Sequence, residues 1–320
     1  MGRGATRLVL ASIAVALLAP GTALAASKPT VATRAPSLIT PSTAQLNGRV
    51  TPNGAPSGWF FQFGTTRLYG GQTPEQTAQP GSGAVPVSAG VTGLAPATTY
   101  HYRLVARNSE GLTLGPDRTF KTRRQPLGVT LAANPSPART DGATTLFGTL
   151  TGTGNAGRQV VLQANPYPYT QGFVNAANPQ VTDAQGNFSF PILSVPVNTQ
   201  YRVLMPTRPD VVSPIVFVGT YVRVTTHAKV VRRFEHSGKV RFSGSMEPAV
   251  DGSRVLIQKF WRQKWTTVGR TVARAASGDT SRYRKTIRQR KGGRYRVVVD
   301  AQGAHTTSFG HTKRVRHVRR

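Results

Sequence analysis

The 320-residue chain carries 41 Lys and Arg against 11 Asp and Glu, a formal net charge of +30, and it has no cysteine. The missing cysteine excludes cystine scaffolds, thiolate catalysis and thiolate metal centres, so stability has to come from buried cores. The charge is unevenly placed, with 24 Lys and Arg against 5 acids in residues 227–320, compared with 10 against 3 in 26–125 and 5 against 3 in 126–226. A field of that sign attracts polyanions: nucleic acid, anionic cell-wall polymer, acidic glycan or anionic lipid. The plain alternative is an arginine-rich surface that only keeps the chain in solution.

In chain order, "MGRGATRLVLASIAVALLAPGTALAAS" places Arg3 and Arg7 ahead of an apolar run at 8–18 and small residues at 23–25. That order reads as a secretory signal peptide over residues 1–25, cut after Ala25. The apolar run is too short to span a bilayer as a helix, and no later stretch has the roughly 20 apolar residues that spanning takes. An exported chain is expected, extracellular or held at the cell surface, with no transmembrane segment in its mature part.

Beyond residue 25, apolar and polar residues alternate over short runs between Gly and Pro, as in "AQLNGRV" (44–50), "GRQVVLQA" (157–164), "SRVLIQKF" (253–260) and "RYRVVVD" (294–300). Period-two alternation of this kind predicts an all-β chain. One pattern recurs three times: "YRLV" at 102–105, "YRVL" at 201–204 and "YRVV" at 295–298. The tyrosines are 99 and 94 residues apart, the size of one immunoglobulin-type sandwich each. Repetition at that length means tandem modules, since a solenoid would repeat every 20 to 50 residues or so. The expected division is a first module at 26–125, a second at 127–226 and a basic third at 227–320 with a basic tail.

The stretch "LAPATTYHYRLVARNSEG" (94–111) carries Leu94, Pro96, Thr98, Tyr100, Asn108 and Gly111 in the spacing of the fibronectin type III signature. Residues 36–122 resemble the fibronectin-type modules of secreted actinobacterial proteins, and 127–226 and 227–320 resemble bacterial Ig-like modules. The resemblance implies three tandem β-sandwiches. In one departure, the second strand lacks the family's usual tryptophan, and the nearest, Trp59, falls in "GWFFQFG" on the third.

Because strand side chains alternate faces, the tyrosines of the tripled pattern point inward and the arginines after them point to water. Matching "TTY" (98–100) to "TQY" (199–201) pairs Tyr100 with Tyr201 and Tyr295 as tyrosine-corner residues, whose hydroxyls bond back to upstream backbone.

Catalytic patterns are missing from the sequence. The acids are few and scattered, there is no GxSxG or HExxH, and "DAQGNFSF" (183–190) reads as a turn rather than a calcium loop. His305, His311 and His317 are six apart, which on an extended strand is roughly 20 Å and defeats a mononuclear metal site. A non-enzymatic chain without metal or cofactor is expected. Two binding surfaces stand out. Tyr167, Tyr169 and Phe173, among prolines and amides in "ANPYPYTQGFVNAANPQ" (164–180), have the chemistry to stack on a sugar. Arg282, Arg284, Arg288 and Arg290, with Arg294 and Arg296 after them, form a basic surface suited to a regular polyanion. Three readings therefore stand: a polyanion-binding envelope protein, a carbohydrate-binding accessory protein, and a structural spacer.

Overall fold

A computed structural model of the protein describes residues 25–316; the signal-peptide expectation and His317 lie outside the described residues. Every regular element among the described residues is a β-strand, and nearly all pairings are antiparallel. Alternation explains the strands directly. In Ala44–Thr51, Ala44, Leu46 and Val50 are buried while Gln45, Asn47 and Arg49 are not. In Thr199–Met205 the same period buries Tyr201, Val203 and Met205.

The chain divides into two compact units between Arg124 and Gln125. The first is a sandwich. One sheet orders Thr30–Ser37, Ala44–Thr51 and Val85–Val91; the other pairs Ser57–Gly64 with Thr99–Asn108, flanked by Arg118–Lys121. Leu46, Val50, Phe61, Tyr102 and Leu104 fill the space between them. Trp59 lies on the third strand, buried, and meets Phe61 edge to face at 6.0 Å.

The second unit contains two separate cores. One gathers Leu146, Leu150, Leu162, Phe190 and Val203, the other Val240, Phe242, Ile257, Tyr295 and Val297. The chain crosses between them a few residues upstream of the 226/227 division expected from composition. Thr220–Tyr221 still pairs with Ala138–Arg139, whereas Val222 is already in the last core and Arg223–Val224 pairs with Gly238–Glu247. The charge change that marks 227 in the sequence falls inside the new sandwich's first edge strand.

Each of the two sandwiches has a glycine on its first long strand, beside the break in the interrupted edge strand that pairs with it. A Cβ on Gly148 would lie 2.0 Å from the Thr130 carbonyl oxygen, and one on Gly244 would lie 2.0 Å from that of Thr225. Only glycine allows that backbone approach.

Backbone hydrogen bonds join these two sandwiches within their unit. Asn198 N–H donates to the Ala304 carbonyl at 2.8 Å and its amide Nδ2 to the Gly303 carbonyl at 2.8 Å, while Thr306 N–H donates to the Thr220 carbonyl at 2.7 Å. His305 sits in this seam with Nδ1 2.8 Å from the Thr220 hydroxyl and 3.3 Å from that of Thr140. Burial pushes the His305 pKa below its ordinary 6.5, against a smaller opposing pull from Asp141. The unfolded chain then binds the proton more readily than the folded one. The second unit should lose stability as pH falls through 6.5 toward the lower folded value and hold it above. Denaturant melts of the full chain between neutral and acid pH measure this, and His305→Gln should flatten that part of the dependence.

Candidate anionic-polymer interface

The three tripled arginines share one arrangement. Arg103, Arg202 and Arg296 lie directly across the sheet from Gln62, Gln163 and Gln258. In each case Nε donates to the glutamine Oε1, at 2.8, 2.9 and 2.8 Å. Each guanidinium also faces an aromatic ring: Tyr69 at 4.6 Å, Phe173 at 4.2 Å, and for Arg296 both Trp265 at 4.5 Å and Phe309 at 4.9 Å. These arginines are half-buried and committed to protein partners, where strand parity alone points them to water.

The same cross-strand pairs correct the register of the tyrosines. Phe63, Ala164 and Lys259, each following its glutamine, face Tyr102, Tyr201 and Tyr295. Tyr102, and not Tyr100, is therefore the counterpart of the other two; the tripled pattern aligns as it is written. Tyr100 nonetheless makes the bond expected of a corner tyrosine, its hydroxyl bonding back to upstream backbone by accepting from Ala95 N–H at 2.9 Å, with its ring stacked on Phe120. Tyr102 is fully buried, with its hydroxyl donating to the Arg34 carbonyl at 2.6 Å, and burial pushes its pKa up to about 12. The Tyr295 hydroxyl bonds back to the Lys291 carbonyl at a longer 3.4 Å.

The six arginines expected to form one surface are split between the two sheets of the last sandwich. Arg282, Arg284 and Arg288 are exposed on Ser281–Gln289, and Arg290 follows at its end. Arg294 and Arg296 lie on Gly293–Asp300, in the opposite sheet, where Arg294 stacks over Phe260 at 4.3 Å. They belong to an arginine–aromatic ladder on that side.

On the first sheet the basic surface is broader than those arginines alone. Gly238–Glu247 contributes Lys239, Arg241, Ser243 and Ser245 to the outer face, and His227–Arg233 adds His227, Lys229 and Arg232. Like charges sit directly opposite one another: Lys229 against Arg241, Arg232 against Lys239, Lys239 against Arg288, and Arg274 against Arg282. Directly opposed like charges destabilise a sheet. Acids that would relieve them are engaged elsewhere among the described residues. Asp300 pairs with Arg254 on the other sheet, Glu235 with His236 in a loop, and Glu247 with Arg139 and Arg223 at one end. Asp251 accepts from the Ser281 hydroxyl and Asp279 from Ala249 N–H. Sequence reasoning did not single out Lys229, Lys239, Arg241 or Arg274, although "HAK" and "KVRFS" place basic residues at alternate positions.

The aromatic candidates are spread and partly occupied. Phe173 lies under Arg202, while the Tyr167 hydroxyl donates to the Gln302 carbonyl at 3.1 Å across the seam. Tyr169 packs edge-on against Tyr167 at 5.7 Å, and burial raises its pKa. Asp183 accepts from Gln185 and Asn187 N–H in a tight turn. Among the described residues no group of three or more His, Asp or Glu is placed to hold a metal, and no helix is long and apolar enough to cross a membrane.

No protein-family model matches the chain, and no curated protein does. Solved structures similar to it include domains from titin, 15% identical, covering 91% of this chain and 100% of that one with a TM-score of 0.37. Another is a tetra-tandem repeat from the extending region of a large adhesion protein, 15% identical, covering 91% and 74% with a TM-score of 0.32. The sensor domain of the anti-sigma factor RsgI4 from Pseudobacteroides cellulosolvens is 20% identical over 29% of this chain and 74% of its own, with a TM-score of 0.24. The strand pairing and cores described above establish the fold as all-β, immunoglobulin-like sandwiches.

The Arg–Gln–aromatic arrangement should be measurable as coupling. In a double-mutant cycle of Gln258→Ala and Arg296→Ala, unfolding free energies should couple by about 1 kcal/mol, reduced from a buried charged bond by partial solvent exposure. Coupling near zero in denaturant melts would remove the arrangement's structural role.

Proposed function

We propose that this chain is a non-catalytic extracellular interaction protein. Its last sandwich holds anionic polymers, cell-wall polymer or acidic glycan, on the outer face of the sheet that contains Gly238–Glu247 and Ser281–Gln289. One observation carries the reading: like charges are directly opposed across three strand pairings, and the one acid on the strands of that sheet, Glu247 at the end of Gly238–Glu247, is already paired with Arg139 and Arg223. A sheet surface of this kind costs the fold stability that a bound polyanion offsets, because it brings its own negative charges to the crowded cations. Export and the position at the cell surface follow from the signal-peptide reading of residues 1–25. The choice of β-sandwiches by itself supports no ligand, since such modules host unrelated functions. A neutral-sugar role for Tyr167, Tyr169 and Phe173 has less support, because all three side chains already have protein partners.

Retention of the full chain on immobilised heparin or purified anionic wall polymer, run over increasing salt, tests the reading. Replacing Lys239, Arg241 and Arg284 together by Gln should lower the eluting salt and reduce the slope of log affinity against log salt, by up to about one for each cation removed from the face. Replacing Arg294 and Arg296 by Gln, on the opposite sheet, should leave that slope nearly unchanged. Equal losses from both sets, or retention indifferent to salt, would contradict it.

A further inference from the structure

One end of the basic face is shaped differently from the rest. Arg274, Arg282 and Arg284 border a groove of about 430 Å³, facing His227 across a floor of Ser243 and Ser245. Small residues on the central strand leave this space, where the next outward positions along it, Arg241 and Lys239, carry long side chains. The floor is held from both sides. Ser245 N–H donates to the Thr225 hydroxyl at 2.7 Å, and the two hydroxyls lie 2.9 Å apart. Beneath them the buried Tyr283 hydroxyl donates to the Thr225 carbonyl at 3.0 Å, and Gly244 permits the close approach of that carbonyl.

The wall is donor-rich and lacks a carboxylate. Three guanidinia border it, and among the described residues none of the three forms an ion pair with an acid. A planar carboxylate is satisfied by one guanidinium fork, using its two oxygens. Donors arriving from several strands and from a hydroxyl floor instead suit a tetrahedral group, whose oxygens diverge and accept from several sides at once. Among tetrahedral oxyanions, a phosphate ester has the more basic oxygens and so the stronger acceptors.

We infer that this groove is a phosphate subsite within the basic face, which makes the protein prefer phosphorylated polymers to carboxylated ones. The inference rests on the polyanion reading above and adds a chemical choice to it. Lys239 and Arg241, outside the groove, supply attraction without that choice. Arg274, Arg282 and Ser245 supply the choice.

The test compares binding of the full chain to polyphosphate and to polygalacturonate at one ionic strength, in wild type and two sets of variants. Polyphosphate has the higher charge density, so the informative quantity is how the ratio of the two affinities changes. Arg274→Gln with Arg282→Gln should lower that ratio by about tenfold or more, the effect of removing at least one charge-assisted bond made to phosphate alone. Ser245→Ala should lower it by a smaller factor. Lys239→Gln with Arg241→Gln should weaken both polymers by a similar factor and leave the ratio unchanged. Thermal melts of each variant, including the half-buried Ser245→Ala, check that the fold is kept. If the groove pair weakens both polymers equally, the phosphate subsite is overturned while the polyanion reading stands. If wild type binds neither polymer at low salt, both fall.

Discussion

The two-residue period of a β-strand governs this molecule, because it decides for every charge whether it reaches water, a neighbour's ring or another charge. Along Gly238–Glu247, Val240, Phe242 and Met246 are in the core, so Lys239 and Arg241 are forced outward. The same rule applies on the two neighbouring strands, and antiparallel pairing then sets cation against cation at a strand spacing of roughly 5 Å. The sheet has no freedom to avoid this without moving its core residues to the solvent side. The charge crowding is therefore a property of the sequence pattern and not of one side-chain conformation. It is the feature on which the proposed polyanion binding rests.

The opposite sheet of the same sandwich shows how the fold uses arginine when binding is not at issue. Arg296 is bonded to Gln258 and lies between Trp265 and Phe309, and burial depresses its pKa. Arg103 and Arg202 repeat the design in the other sandwiches with a different ring each time. Their planar guanidinium can bond at its edge and stack on its face together, which lysine cannot do. Tyr69, the ring over Arg103, is itself held by its hydroxyl bond to Asp117 at 2.7 Å. The two sheets thus differ in degree: Arg232 and Arg288 on the first also meet a ring, Phe234, and Arg288 bonds Ser237, but there cations still stand directly opposite cations.

Much of this is legible in the sequence, and the departures have physical causes. Alternation marks the strands, and the recurring tyrosines mark the spacing of the sandwiches. Arg282, Arg284 and Arg288 share a face as expected, because parity is local to a strand. Arg294 and Arg296 do not join that surface, because the chain crosses between sheets at 290–292 and sheet membership is a matter of topology, to which parity is blind. Aligning Tyr100 with Tyr201 and Tyr295 in register fails for a related reason, since a two-residue shift keeps the face and burial gives no warning of it, although Tyr100 makes the corner bond expected of it. The glutamines in "FFQFG", "VVLQA" and "LIQKF" hold the register that distinguishes the two alignments. The crossing at Val222 is hidden because the first edge strand of the last sandwich is broken into short pieces.

Residue-resolved amide exchange of the full chain, with and without an anionic wall polymer at low salt, tests the central claim most directly. The expected result is slowed exchange and shifted signals confined to His227–Arg233, Gly238–Glu247 and Ser281–Gln289, relieved on adding salt. Changes centred on Arg254–Trp261 and Gly293–Asp300, or on the loop holding Tyr167 and Phe173, would place binding elsewhere and contradict the account.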